Sequence, residues 1–166
     1  MLAAFKLVHE QISEARLVFA GDGPSMTELR QAAADMGIAG QVDFLGTRTD
    51  IPDVLRGFTL FTLSSITEGI SMTILEAMAC GLPVVATDVG GNREIVNPPE
   101  CGLIVPPRDP QALANACLEL LRDSTRRAQM SAVARQRIVE HFSLDAMVSA
   151  YSTLYDELLT KNGIRT

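Results

Sequence analysis

The sequence predicts an α/β domain: a parallel sheet flanked by helices, with an all-helical C-terminal third. Short β-branched or aromatic runs alternate with longer stretches of helical period, which is the pattern of strands joined by crossover helices. After Val105 the strand-like runs stop and only helical periodicity remains. The 166 residues are 47% hydrophobic and 20% charged, a balance that suits one globular domain and neither a disordered chain nor a disulfide scaffold.

The first element, around residues 3–12, reads as a helix, whereas a doubly wound domain opens on a strand. A first strand is therefore expected to lie outside this chain. The strand candidates are residues 16–20, 42–45, 60–63, 83–87 and 103–105. Between the first two, Ser25-Met26-Thr27-Glu28 has the form of a capping box, Met26, Leu29, Ala33 and Met36 share one helix face, and Gly37 is placed to end the helix. Asp50 is placed to cap a short helix carrying Ile51, Val54 and Leu55, and Ser71 to cap another that runs to Gly81. Asp109-Pro110 opens a helix through Leu121, and two more helices are expected near 125–141 and 144–159.

Fourteen Lys and Arg against twenty Asp and Glu give a formal charge of −6, which works against non-specific attraction to nucleic acid or to an anionic membrane. An anionic ligand must be held by local geometry. Cys80, Cys101 and Cys117 form no C-x-x-C pair and read as buried small hydrophobes in a reducing cytoplasm, and no metal site is implied. The N-terminus does not resemble a secretory signal, and the longest apolar region, 74–86, is broken by Glu76, Gly81 and Pro83, well short of the ~20 residues of a spanning helix. No transmembrane segment is expected.

The chemistry concentrates in residues 64–86. A loop carrying Glu68 and Gly69 follows an apolar strand and runs into a helix, so it lies beyond the carboxyl end of a parallel strand, where ligands bind in open α/β sheets. Free N–H groups of Ile70, Ser71, Met72 and Thr73, with the helix dipole behind them, suit phosphate oxygens. Glu76 sits more than a turn into that helix, so the two carboxylates are expected to meet different parts of one long ligand, accepting hydrogen bonds from sugar or ribose hydroxyls. A retaining glycosidase pair, ~5 Å apart across one bond, fits this spacing poorly.

The spacing Glu68-x7-Glu76, the run from Glu76 through Gly81 and Pro83 to Ala86, and Asp88-Val89-Gly90-Gly91 resemble the group 1 retaining glycosyltransferases of GT-B architecture. Further similar pieces are Leu17-Val18-Phe19-Ala20-Gly21-Asp22-Gly23-Pro24, Val42-Asp43-Phe44-Leu45-Gly46, and the stretch from Cys101 to Pro107. The resemblance covers nearly the whole chain, in order. It implies a Rossmann-like C-terminal half of a GT-B fold over residues 1–166, binding a UDP- or GDP-sugar without a cofactor or metal, with the N-terminal acceptor domain outside the chain. It also implies roles: Glu68 as the catalytic-site contact to donor sugar hydroxyls, Gly69 and the amides of Ile70, Ser71, Met72 and Thr73 around the sugar and diphosphate, Glu76 on the ribose, and Leu45, Gly46 and Thr47 near the base. Two departures stand out. Ile70-Ser71 replaces the common Phe-Gly, and nothing before Ala3 supplies the family's Gly-Arg…Lys diphosphate clamp.

The expected activity is retaining hexosyl transfer to a sugar or lipid-linked acceptor, and the expected location is the cytoplasm, with the inner membrane face, reached through the absent domain, as the further option. The alternatives are a nucleotide-sugar binding module inactive on its own and a nucleotide-sugar epimerase. Gly21-Asp22-Gly23-Pro24 reads as a turn rather than a phosphate loop, since it lacks the G-x-G-x-x-G and Walker patterns, and Asp88, Gly90 and Gly91 either line the crevice or make a tight turn. His9 and His141 read as surface residues, Arg126, Arg127, Arg135 and Arg137 as a solvated face, and the methionines as core filler.

Overall fold

The computed structural model describes residues 1–97 and 99–162, so Pro98 and 163–166 of the expected domain lie outside the described residues. The elements run α1 (Leu2–His9), β1 (Leu17–Phe19), α2 (Met26–Asp35), a 3-10 turn (Ala39–Gln41), β2 (Val42–Phe44), α3 (Ile51–Arg56) and β3 (Phe61–Leu63). They continue with α4 (Met72–Ala79), β4 (Val84–Thr87), α5 (Asn92–Val96), β5 (Gly102–Val105), α6 (Pro110–Arg122), α7 (Ser124–His141) and α8 (Leu144–Lys161). Every expected strand is present, within one residue of its expected span at either end.

All pairing is parallel. β1 pairs with β2, and β3, β4 and β5 pair in that order, with Phe61 opposite Val84 and Val84 opposite Gly102. The strands thus form two sheets, β1–β2 and β3–β4–β5, because among the described residues none bridges β1 to β3.

The core follows from the period-2 alternation of β4, all four of whose residues are buried. Val84 and Ala86 face Ile74, Ala77 and Met78 of α4, Ile95 and Val96 of α5, and Ala134 and Ile138 of α7. Val85 faces the other way, into Ala4 and Val8 of α1 and Leu113, Cys117 and Leu120 of α6. Full burial of each larger aliphatic side chain contributes ~1.5–3 kcal/mol. A third cluster gathers Leu17, Val42, Ala33 and Ile38 around β1–β2, joined by Leu2 and Phe5 of α1. α1 therefore belongs to two cores and spans the seam between the sheets.

Several local expectations are corrected. Ser25 precedes α2 but its side chain accepts no capping bond, and neither does that of Asp50 ahead of α3, whose carboxylate is drawn to Arg48 instead. Of the four α7 arginines expected to form a solvated face, Arg135 is exposed as expected and the other three are half-buried. Arg127 donates to the carbonyls of Leu120 and Leu121 at the end of α6, Arg126 pairs with Glu119, and Arg137 donates to the carbonyls of Glu94 and Ile95 at the end of α5. His9 is half-buried against Phe5, with Nδ1 buried and unpartnered among the described residues, and Met72 and Met147 are exposed rather than core. α8 buries no side chain and leaves Leu144, Val148, Tyr151, Tyr155 and Leu158 exposed along one face. No helix among the described residues is long and apolar enough to cross a membrane.

Candidate functional site

The carboxyl ends of β3 and β4 open into two short loops, 64–71 and 88–91, that pack against each other. Gly91 N donates to the Gly69 carbonyl at 2.8 Å. Gly90 has φ +53°, and a Cβ there would stand 2.2 Å from the Glu68 carbonyl oxygen. Only glycine allows this approach. Gly90 and Gly91 thus do more than line a crevice or make a turn: they back the loop that carries Glu68.

Glu68 is half-buried and its Oε1 accepts from Ser65 Oγ at 2.6 Å. The Ser65 carbonyl accepts from Thr87 Oγ1 at 2.7 Å, and the Thr87 carbonyl accepts from Asn92 Nδ2 at 3.1 Å. Three residues later the loop becomes α4. Ser71, 4% exposed, caps it as expected, accepting from Ile74 N at 3.4 Å and lying 3.1 Å from the Thr73 hydroxyl. The N–H groups of Met72 and Thr73 find no acceptor among the described residues, so the positive end of α4 is open. Gly69, Ile70, Met72, Thr73 and Glu76 are all exposed around that end. Ile74, Ala77 and Met78 form the buried face of α4, and this turns Glu76 to solvent despite its apolar neighbours in sequence.

Leu45, Gly46 and Thr47 belong to the other sheet. Leu45 N donates to the Phe19 carbonyl at 2.9 Å and Gly21 N to the Gly46 carbonyl at 2.8 Å, which joins this loop to the turn 21–24. Asp22 Oδ1 accepts from Gly23 N at 2.7 Å, and Met26 N donates to the Gly23 carbonyl at 3.1 Å, closing a turn. A cavity of about 240 Å³ opens beside it, lined by Phe19, Gly21, Pro24, Met26 and Leu29 among others. The Glu68–Glu76 group and the Leu45–Thr47 group thus sit at the carboxyl ends of separate sheets.

Two arginines beside these loops are engaged. Arg93 lies 2.5 Å from Asp88 and holds its carboxyl below the ordinary range, and Arg48 does the same to Asp50 at 2.5 Å. Backbone amides are left as the open positive groups at α4. Among the described residues no three of His, Cys, Asp and Glu gather as metal ligands. Ser65, Thr87 and Asn92 were not singled out by sequence; the one available signal is a hydroxyl three residues before Glu68.

Parallel strands, helices on both faces and an open helix N-terminus at the carboxyl edge define a Rossmann-like α/β domain. The family model described as "Glycosyl transferases group 1" matches residues 1–123, and the chain belongs to that family. It is 33% identical over 152 residues to N-acetyl-alpha-D-glucosaminyl L-malate synthase of Bacillus anthracis, covering 90% of this chain and 40% of that protein. The structure superposes on Anabaena HepE in complex with UDP with a TM-score of 0.82 and 27% identity, covering 93% of this chain and 44% of that one. The fold is also that of the C-terminal domain of a glycosyl transferase group 1 family protein of Francisella tularensis, with a TM-score of 0.78, 24% identity and coverage of 86% and 77%. Its structural neighbours are GT-B glycosyltransferases in which this domain forms the C-terminal half. The chain spans about two fifths of the length of the curated relatives it matches.

Proposed function

We propose that this chain is the donor-binding half of a glycosyltransferase that transfers a hexosyl group, with retention, from a UDP- or GDP-sugar to a sugar or lipid-linked acceptor. The observation that carries the reading is the half-buried, hydrogen-bonded Glu68 immediately ahead of the open N-terminus of α4, with Glu76 exposed further along the same helix. The diphosphate lies against the amides of Met72 and Thr73, beside Gly69, Ile70 and Ser71. Glu68 accepts from donor sugar hydroxyls and Glu76, about 6 Å along the axis from Met72, from the ribose. The base reaches towards Leu45, Gly46 and Thr47. The UDP complex of a 27% identical neighbour supports a nucleotide ligand for this fold. Departure of the diphosphate is stabilised by backbone dipoles together with cations from outside these residues.

Calorimetric titration of the chain with UDP, GDP, UDP-glucose, UDP-N-acetylglucosamine and GDP-mannose tests the reading. Glu76→Ala is expected to weaken the bare nucleotide by ~1–3 kcal/mol, while Glu68→Ala spares it and removes the gain from the sugar. Equal loss of bare nucleotide affinity in both variants reverses the donor's direction. The chain alone is expected to bind without transferring, and turnover to an added acceptor would overturn that.

We further propose that a strand ahead of Met1 in a longer polypeptide enters between β1 and β3. The position of α1 across the two cores supports this, since a crossover helix packs over the strands it joins. An upstream-extended chain is expected to melt higher than residues 1–166; equal melting temperatures would sink the proposal.

A further inference from the structure

Ser65 has no role in the reading above, yet its hydroxyl makes a 2.6 Å hydrogen bond to Glu68. We propose that Ser65, anchored by Thr87 and Asn92, is the positioning residue that holds the Glu68 carboxylate ready for the donor sugar. The inference rests on the assignment of Glu68 to the sugar.

The backbone on either side of Glu68 is tied to the β4–α5 unit. The Ser65 carbonyl is held by Thr87 Oγ1 at 2.7 Å, and the Gly69 carbonyl by Gly91 N at 2.8 Å. Thr87 is 3% exposed at the end of β4, and its carbonyl is bonded at 3.1 Å by Asn92, which is fully buried. The anchor is therefore rigid core and not loop. With its backbone clamped, the freedom left to Glu68 is rotation of its side chain, which costs entropy to arrest at the moment of binding. The Ser65 hydroxyl arrests it beforehand through Oε1. Oε2 has no protein partner among the described residues and remains available to accept from a ligand hydroxyl. A carboxylate oriented in advance by a neighbouring donor is the arrangement that makes a ligand contact geometrically reliable.

A purely structural serine and a positioning serine are separated by the ratio of sugar-nucleotide to bare-nucleotide affinity. The ratio is measured by calorimetry on the chain with UDP against UDP-glucose and UDP-N-acetylglucosamine, and GDP against GDP-mannose. Ser65→Ala is expected to lower the ratio by about 3- to 10-fold while sparing the bare nucleotide, and Ser65→Thr, which keeps a hydroxyl, to restore it. In the Glu68→Ala background Ser65→Ala is expected to change neither the ratio nor the denaturation midpoint further, because the hydroxyl has lost its partner. A ratio that falls in Glu68→Ala and stays at the wild-type value in Ser65→Ala overturns the role of Ser65 alone. A ratio unmoved by Glu68→Ala overturns the sugar assignment and this inference with it. Additive effects of the two substitutions on denaturation also overturn it, whatever the ligand data.

Discussion

Gly90 is the residue whose replacement reaches furthest for its size. An alanine there meets a φ of +53° and the Glu68 carbonyl at 2.2 Å, so the backbone of one of the two loops must move. Gly90→Ala is expected to cost ~1–3 kcal/mol in urea unfolding and to weaken sugar-nucleotide binding, whereas Gly23→Ala, with nothing within 4 Å, is expected to cost little. Equal costs at the two glycines would refute the close-approach argument. Cys117 carries a prediction of pH dependence. Burial pushes its thiol up to about 11, so the folded chain favours the neutral form and the contribution is complete below the ordinary thiol range near 9. Stability is expected to fall as pH rises from about 9 to about 11, by ~3 kcal/mol from this group, and Cys117→Ala or Cys117→Val should flatten that part of the curve. A melting temperature constant over that interval would contradict it. The placement of Glu68 in the loop, Ser71 at the helix cap and Glu76 on α4 was legible in sequence because each is set within one loop and one helix. The need for glycine at 90 and the use of Asn92 arise from contacts between separate segments, which local spacing does not encode.

At the level of elements, α4 shows what capping and burial each contribute. Ser71→Ala is expected to cost ~0.5–2 kcal/mol through the lost bond to Ile74 N, and Ile74→Ala, at a fully buried position, ~2–5 kcal/mol. Ser25→Ala should change stability by under ~0.5 kcal/mol, since no capping bond exists to lose; a loss comparable to that at Ser71 would show that the α2 cap forms in solution. The contrast explains where sequence reading of elements stops. Strand and helix order was legible because period 2 and period 3.6 are written in adjacent residues. Ser25 and Asp50 have the right chemistry for caps, but a side chain takes the partner that is best placed, and for Asp50 that is Arg48. Arg137 was misread for the same reason: the carbonyls that it serves are more than forty residues away.

Across the whole molecule, the fold class was legible and the seam was not. A sheet divided in two looks the same in sequence as an undivided one, because every strand still has its alternating residues. α1 is the element shared by both cores, so Phe5→Ala is expected to expose β1–β2 amides to hydrogen exchange before those of β4. Uniform loss of protection across both sheets would contradict that order. The division also governs how copies of the chain behave towards one another. Among the described residues, the two sheets have four outer strands, β1, β2, β3 and β5, each with a row of main-chain donors and acceptors lacking a strand on one side. A net charge of −6 keeps copies apart in dilute buffer, and added salt screens it, with a Debye length of ~3 Å at 1 M. Light scattering should therefore rise with ionic strength, accompanied by an intermolecular β band in the infrared. A strand joined upstream that seals β1 to β3 would leave only two such margins and should suppress the rise, making colloidal behaviour a readout of sheet closure.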